Sequence, residues 1–149
     1  MKSWQRQVRD AVVMGLAWAV VWAPVAVLIG TKIIDPDNSM DEMWVVAGAY
    51  PGFLCAVIFA AVRSISERGR KLAELPLARA AALGALAGVL VGVFPFTVGT
   101  ATTALSLWLL GVIVIGTITL TSAVSAVGSV LLARMARKRE FRDASADLA

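Results

Sequence analysis

Four long stretches without a charged residue divide the chain, at about 11–30, 44–62, 80–98 and 104–133. None of them contains Asp, Glu, Lys, Arg or His. Each supplies the ~20 apolar residues that carry a helix across about 30 Å of hydrocarbon. The pattern predicts an all-α integral membrane protein, with residues 1–149 forming a single transmembrane domain of four helices. A basic tail, 134–149, follows the fourth span.

The charged residues between the spans predict the direction of each crossing. Lys2, Arg6 and Arg9 precede the first span. Arg63, Arg68, Arg70, Lys71 and Arg79 lie between the second and third, and Arg134, Arg137, Lys138, Arg139 and Arg142 follow the fourth. The remaining connections hold only Lys32. The positive-inside rule puts the three basic segments in the cytoplasm, so both termini are inside and the spans form an antiparallel bundle of two hairpins. The first apolar run is longer than the core of a signal peptide and lacks a small-x-small cleavage site, so it reads as a retained helix.

Composition strengthens the membrane reading. Hydrophobic residues make up 59% of the chain and charged residues 16%, with a mean hydropathy of +0.80. A soluble domain carries roughly a quarter charged residues. Ten Arg against four Lys, with heavy use of Ala and Val, is the habit of a GC-rich bacterial genome and associates the chain with a bacterial inner membrane. There is no His and one Cys, Cys55, which excludes a disulfide framework and a Cys/His metal site.

The stretch DPDNSMDEMW, residues 35–44, concentrates Asp35, Asp37, Asp41 and Glu42 between the first two spans. Asp35, Asp37 and Ser39 follow the spacing that opens a calcium loop, but Met40 and Val46 stand where that loop needs Gly and Glu. Turn composition at 35–38, followed by Ser39 as N-cap with Glu42 reaching back, explains the residues better. The same carboxylates could form an outward docking loop for a basic partner. No metal is expected.

Small residues recur every four positions in the middle spans. Gly84, Gly88 and Gly92 continue from Ala80 in the third, and Gly48, Gly52 and Ala56 run through the second. Close backbone approach drives helix association in lipid, so these stripes are expected to pack helices two and three together. The fourth span carries Thr117, Thr119, Thr121, Ser122, Ser125 and Ser129, hydroxyls that serve helix contacts or line a polar path. Pro24, Pro51 and Pro95 interrupt the first three helices at one depth, near Trp22, Tyr50 and Phe94. Kinks and rings together suggest an apolar cavity in the outer leaflet for a lipid, quinone or pigment tail. Trp44 and Trp108 read as interface anchors.

The segments from Arg9 to Pro24 and from Arg79 to Pro95, each followed by a Trp-led helix, suggest two related hairpins in parallel orientation. In the 64–76 connection, Glu67 with Lys71 and Arg70 with Glu74 suggest a helical turn, with Leu72 and Leu75 dipping into the interface.

Catalytic chemistry is not visible: there is no nucleophile–His–Asp set, no phosphate loop and no dinucleotide fingerprint. Coupled carriers keep an ionisable group within the span, and these spans have none. The expectation is therefore a small non-catalytic membrane subunit that packs against a larger complex, of respiratory or photosynthetic type, or against copies of itself. The alternative is a small transporter or channel, or a lipid- or quinone-binding protein. Membrane lipids and other subunits are the expected partners, and nucleic acid is not. No resident cofactor is expected.

Overall fold

The computed structural model describes residues 2–29, 31–32, 41–66, 71–98 and 107–146. These residues form four α-helices: α1 (Lys2–Ile29), α2 (Asp41–Ser66), α3 (Leu77–Val98) and α4 (Leu107–Ala146). A 3₁₀ turn, Leu72–Glu74, lies between α2 and α3. All four helices are long and apolar enough to cross a membrane. That is the make-up of a multi-pass membrane protein.

Helix bounds depart from the apolar runs mainly at charged ends. α1 starts in the basic leader, because Lys, Gln and Arg are good helix formers and backbone hydrogen bonding does not stop where hydropathy does. α4 runs for 40 residues, roughly 60 Å, and carries the basic tail as one continuous helix. α1 and α2 pass through Pro24 and Pro51, each of which leaves the carbonyl four residues earlier without its helical partner. Beyond α1, the Thr31 hydroxyl donates to the Val27 carbonyl at 2.8 Å and satisfies one terminal acceptor.

α1 packs chiefly on α2, and α3 on α4, while α2 makes lesser contacts with α3 and α4. Small residues explain the first two contacts. A Cβ placed on Gly48 would lie 2.6 Å from the Trp22 carbonyl and 2.5 Å from the Ala26 Cβ. A Cβ on Gly84 would lie 2.7 Å from the Ser122 carbonyl and 2.7 Å from the Ala126 Cβ. The stripes of α2 and α3 were expected to meet each other. Instead each faces the helix at its own side, because a helix backbone can approach closely only where the Cβ is missing. The recurring geometry thus relates α2 to α3, not α1 to α3 as two parallel hairpins would require.

The core gathers where the helices converge. Phe59, Cys55, Val130, Leu75 and Ser122 are fully enclosed. Leu75 was expected at the interface; it is in the core because Arg134 of α4 fixes its backbone. Arg134 donates from Nε to the Ala73 carbonyl at 3.1 Å and from Nη2 to the Leu75 carbonyl at 3.0 Å. These bonds hold the 3₁₀ turn against α4. Glu74 pairs with Arg137 of α4 at 3.3 Å. Glu67 and Arg70, its neighbours in the predicted helical turn, lie outside the described residues. The Pro76 carbonyl accepts from the Ala80 N–H at 2.9 Å and starts α3.

Candidate functional site

Two features stand out within the bundle. The first joins α1 to α4. Trp18 and Trp22 are one turn apart, so their indoles project from one face of α1. Ser125 and Ser129 share the same step on α4. The Trp18 Nε1–H donates to Ser129 Oγ at 3.0 Å, and the Trp22 Nε1–H donates to Ser125 Oγ at 2.9 Å. The two indoles stack at 6.4 Å between ring centroids, and Trp18 stacks on Phe59 of α2 at 5.8 Å. Ser129 donates onward to the Ser125 carbonyl at 2.9 Å, and Ser122 donates to the Gly84 carbonyl at 2.7 Å. Thr121 donates to the Thr117 carbonyl on its own helix. Most of the hydroxyls of α4 are therefore engaged in contacts within or between helices. Thr119 is different: its Oγ1 is enclosed and has no partner among the described residues.

Trp22 thus sits in the core, 7% exposed, with its ring over Gly52. A Cβ at Gly52 would come within 2.9 Å of the indole Cγ. Gly15 makes the same allowance for the Phe53 ring, with 2.7 Å from its would-be Cβ to Cδ2. Trp108 stands exposed at the start of α4, whereas the indole N–H of Trp44 is enclosed without a partner among the described residues.

The second feature is an apolar cleft of about 610 Å³ between α2 and α3, with one wall from α4. Met43, Ala47, Tyr50 and Leu54 line it from α2 at three- and four-residue steps, hence from one helical face. Val91 and Phe94 come from α3, and Ile118 from α4. Pro51 also lines it, and the carbonyl this proline deprives of a donor belongs to Ala47, another lining residue. Among the described residues, Tyr50 carries the only side-chain hydroxyl of the lining.

Of the residues expected around such a cavity, Tyr50, Pro51 and Phe94 are brought together here. Trp22 is in the α1–α4 contact, and Pro24 is exposed on α1. Position 95 lies within α3, and its side chain is outside the described residues. Met43, Val46, Ala47, Leu54, Val91 and Ile118 were not foreseen. Only their shared helical face could have marked the α2 members, because aliphatic residues look alike in every span.

Of the acidic residues between the first two spans, Asp35 and Asp37 lie outside the described residues, as does the predicted cap Ser39. Asp41 and Glu42 open α2. Among the described residues, no group of three or more His, Cys, Asp or Glu is placed to hold a metal ion.

No family model, curated protein or solved structure matches this chain.

Proposed function

We propose that this chain is a small, non-catalytic integral membrane subunit that packs against a larger membrane protein complex, the respiratory and photosynthetic assemblies being of the kind that carry such subunits. It lies in the bacterial inner membrane as two antiparallel hairpins. The basic flanks keep both termini and the 3₁₀ turn in the cytoplasm. One observation carries the reading: the hydrogen-bonding side chains of the spans are largely committed to contacts within the fold, while the outward faces are apolar. Val13, Leu16, Val20 and Leu28 of α1 and Val112, Leu120, Val124 and Leu132 of α4 are all exposed. Such a surface suits lipid and apolar neighbouring helices. Of the six hydroxyls that could line a polar path, Ser122, Ser125 and Ser129 bond to other helices.

Extraction in a mild detergent tests this. The expected result is a particle much larger than 15.7 kDa plus its micelle, with defined proteins at fixed stoichiometry by mass spectrometry. A particle containing only this chain and lipid overturns it.

The cleft supports a second reading. Its volume and apolar walls suit a hydrocarbon tail from a lipid, quinone or pigment. Organic extraction and an absorption spectrum of the purified chain, compared with a Val91→Trp variant that fills the cleft, test it. A tail retained by the parent and lost from the variant is expected; equal retention overturns it.

A further inference from the structure

The end of the bundle that carries the 3₁₀ turn holds a second cavity, about 420 Å³, lined by Ala73, Arg134, Arg137 and Lys138. We propose that this pocket binds the phosphodiester headgroup of one anionic phospholipid. The proposal rests on the membrane reading above and is independent of which assembly the chain joins.

The chemistry starts from Arg134. A guanidinium has five N–H donors in a planar fork. The bonds to the Ala73 and Leu75 carbonyls use two of them and fix the plane of the group. Carbonyls are neutral, so the positive charge remains. The two partners belong to a turn anchored by the enclosed Leu75, so the cation is held in place before any ligand arrives. Arg137 and Lys138 follow on the same helix and line the same cavity. Three cations therefore line the cavity, and Glu74 lies 3.3 Å from Arg137. A phosphate oxygen gains charge-assisted hydrogen bonds from such a cluster, with a preorganised arginine at its base.

Position along α4 selects a lipid rather than a free phosphate. The candidate span of α4, Gly111–Arg139, ends in Arg134, Arg137, Lys138 and Arg139, so the pocket lies where the apolar run passes into basic residues. The hydrocarbon core of a bilayer is about 30 Å thick, shorter than this 29-residue helix segment, so its basic end reaches the headgroup region. Cationic pockets at this depth attract anionic headgroups. An acyl chain attached to that headgroup would run back along the apolar outer face of α4, where Leu131 and Leu132 are exposed.

Glu74 makes the proposal more specific. It competes with the phosphate for Arg137, so removing its charge should strengthen binding. A purely structural ion pair predicts no gain. The test reconstitutes the full chain into nanodiscs of phosphatidylcholine doped with phosphatidylglycerol and counts retained lipids by native mass spectrometry. The parent should retain one phosphatidylglycerol in preference to phosphatidylcholine. Arg137→Gln/Lys138→Gln should lower that retention roughly tenfold to thirtyfold, from about a fivefold effect per surface cation. Neither residue is buried, so the thermal midpoint should stay within a few degrees. Glu74→Gln should raise retention. Equal retention of the two lipids by the parent, or unchanged selectivity in the double variant, overturns the site. Displacement of the lipid by millimolar inorganic phosphate would reassign the pocket to the free anion and overturn the lipid assignment. A chain that stays in aqueous solution without detergent or lipid would sink the membrane reading itself.

Discussion

The α1–α2 and α3–α4 contacts begin alike and then diverge. At Gly48 and at Gly84 the opposing helix presents the same three groups: a carbonyl oxygen, the next Cα and the Cβ four residues on. The Cα distances from the would-be Cβ are 3.0 Å in both. One turn further, α3 stays on the backbone of α4. A Cβ at Gly88 would lie 2.5 Å from the Thr119 Cα, and one at Gly92 would lie 3.0 Å from the Ile115 Cα. In the other pair, Gly52 meets the Trp22 side chain and Gly15 meets the Phe53 ring. The same residue type therefore serves two purposes. In α3–α4 it brings backbones together over three turns. In α1–α2 it makes room for rings, and one of them, Trp22, then hydrogen-bonds to α4. The first contact closes one helix pair; the second also joins α1 to α4.

Substitution at the glycines separates the two purposes and should give the largest effects. Gly88→Leu puts a branched side chain where Thr119 backbone stands, and neither helix can yield locally. The expected outcome is failure of the chain to accumulate as a monodisperse particle, read by size-exclusion chromatography in detergent. Gly88→Ala should lower stability by more than about 2 kcal/mol, in the upper range for overpacking. Gly52→Ala meets a side chain that can shift, so about 1 kcal/mol is expected, read as the difference in unfolding free energy in mixed micelles. If Gly52→Ala proves as costly as Gly88→Ala, the rings are as immovable as the backbone and the distinction fails. Gly116→Ala and Gly128→Ala are internal controls. Their would-be Cβ atoms meet nothing within 4 Å, and both should be neutral or slightly stabilising through helix propensity.

The link from α1 to α4 should be weaker and separable. Ser125→Ala and Ser129→Ala each leave an indole N–H enclosed without its acceptor. Hydrogen bonds between helices in lipid average about 0.6 kcal/mol, and the double variant should lose roughly 1–2 kcal/mol. Tryptophan fluorescence should report the change, because Trp18 and Trp22 lose their polar partners while Trp108 remains exposed. Unchanged emission with unchanged stability would show that packing on α2 holds α1 without the two serine acceptors.

Burial and charge made the four helices legible in the sequence, since a span free of charged residues has few other uses. The glycine spacing was legible as close packing, but not as packing against a particular helix. A four-residue step fixes which face of its own helix is smooth and says nothing about what lies opposite. Trp22 shows the same limit. An aromatic residue near the end of an apolar run fits a membrane interface, and only the distant pair Gly52 and Ser125 turns it inward. The α2–α3 cleft was legible in part. Tyr50, Pro51 and Phe94 stand out by chemistry, whereas Met43, Leu54, Val91 and Ile118 are ordinary aliphatic residues until α2 and α3 are placed side by side. Arg134 was hidden among five basic residues that the positive-inside rule already explained. Its bonds to the Ala73 and Leu75 carbonyls depend on a turn 61 and 59 residues away.

Thr119 offers the smallest effect and the sharpest contrast with Ser122. Both stand on α4 against the glycine stripe of α3. The Ser122 hydroxyl donates to the Gly84 carbonyl at 2.7 Å, while the Thr119 hydroxyl is enclosed without a partner among the described residues. Removing a bonded hydroxyl forfeits its interaction and leaves the acceptor unpaired, whereas removing an unpaired one relieves a desolvation cost. Ser122→Ala should therefore lower stability by about 1 kcal/mol. Thr119→Val has nearly the same shape and should be neutral or stabilising by up to about 1 kcal/mol. The pair also bears on transport. A hydroxyl that lines a polar path is required whether or not it is bonded at rest. If Thr119→Val leaves the fold intact but abolishes a measurable ion or solute flux in reconstituted vesicles, the packing account of α4 gives way to a conducting one.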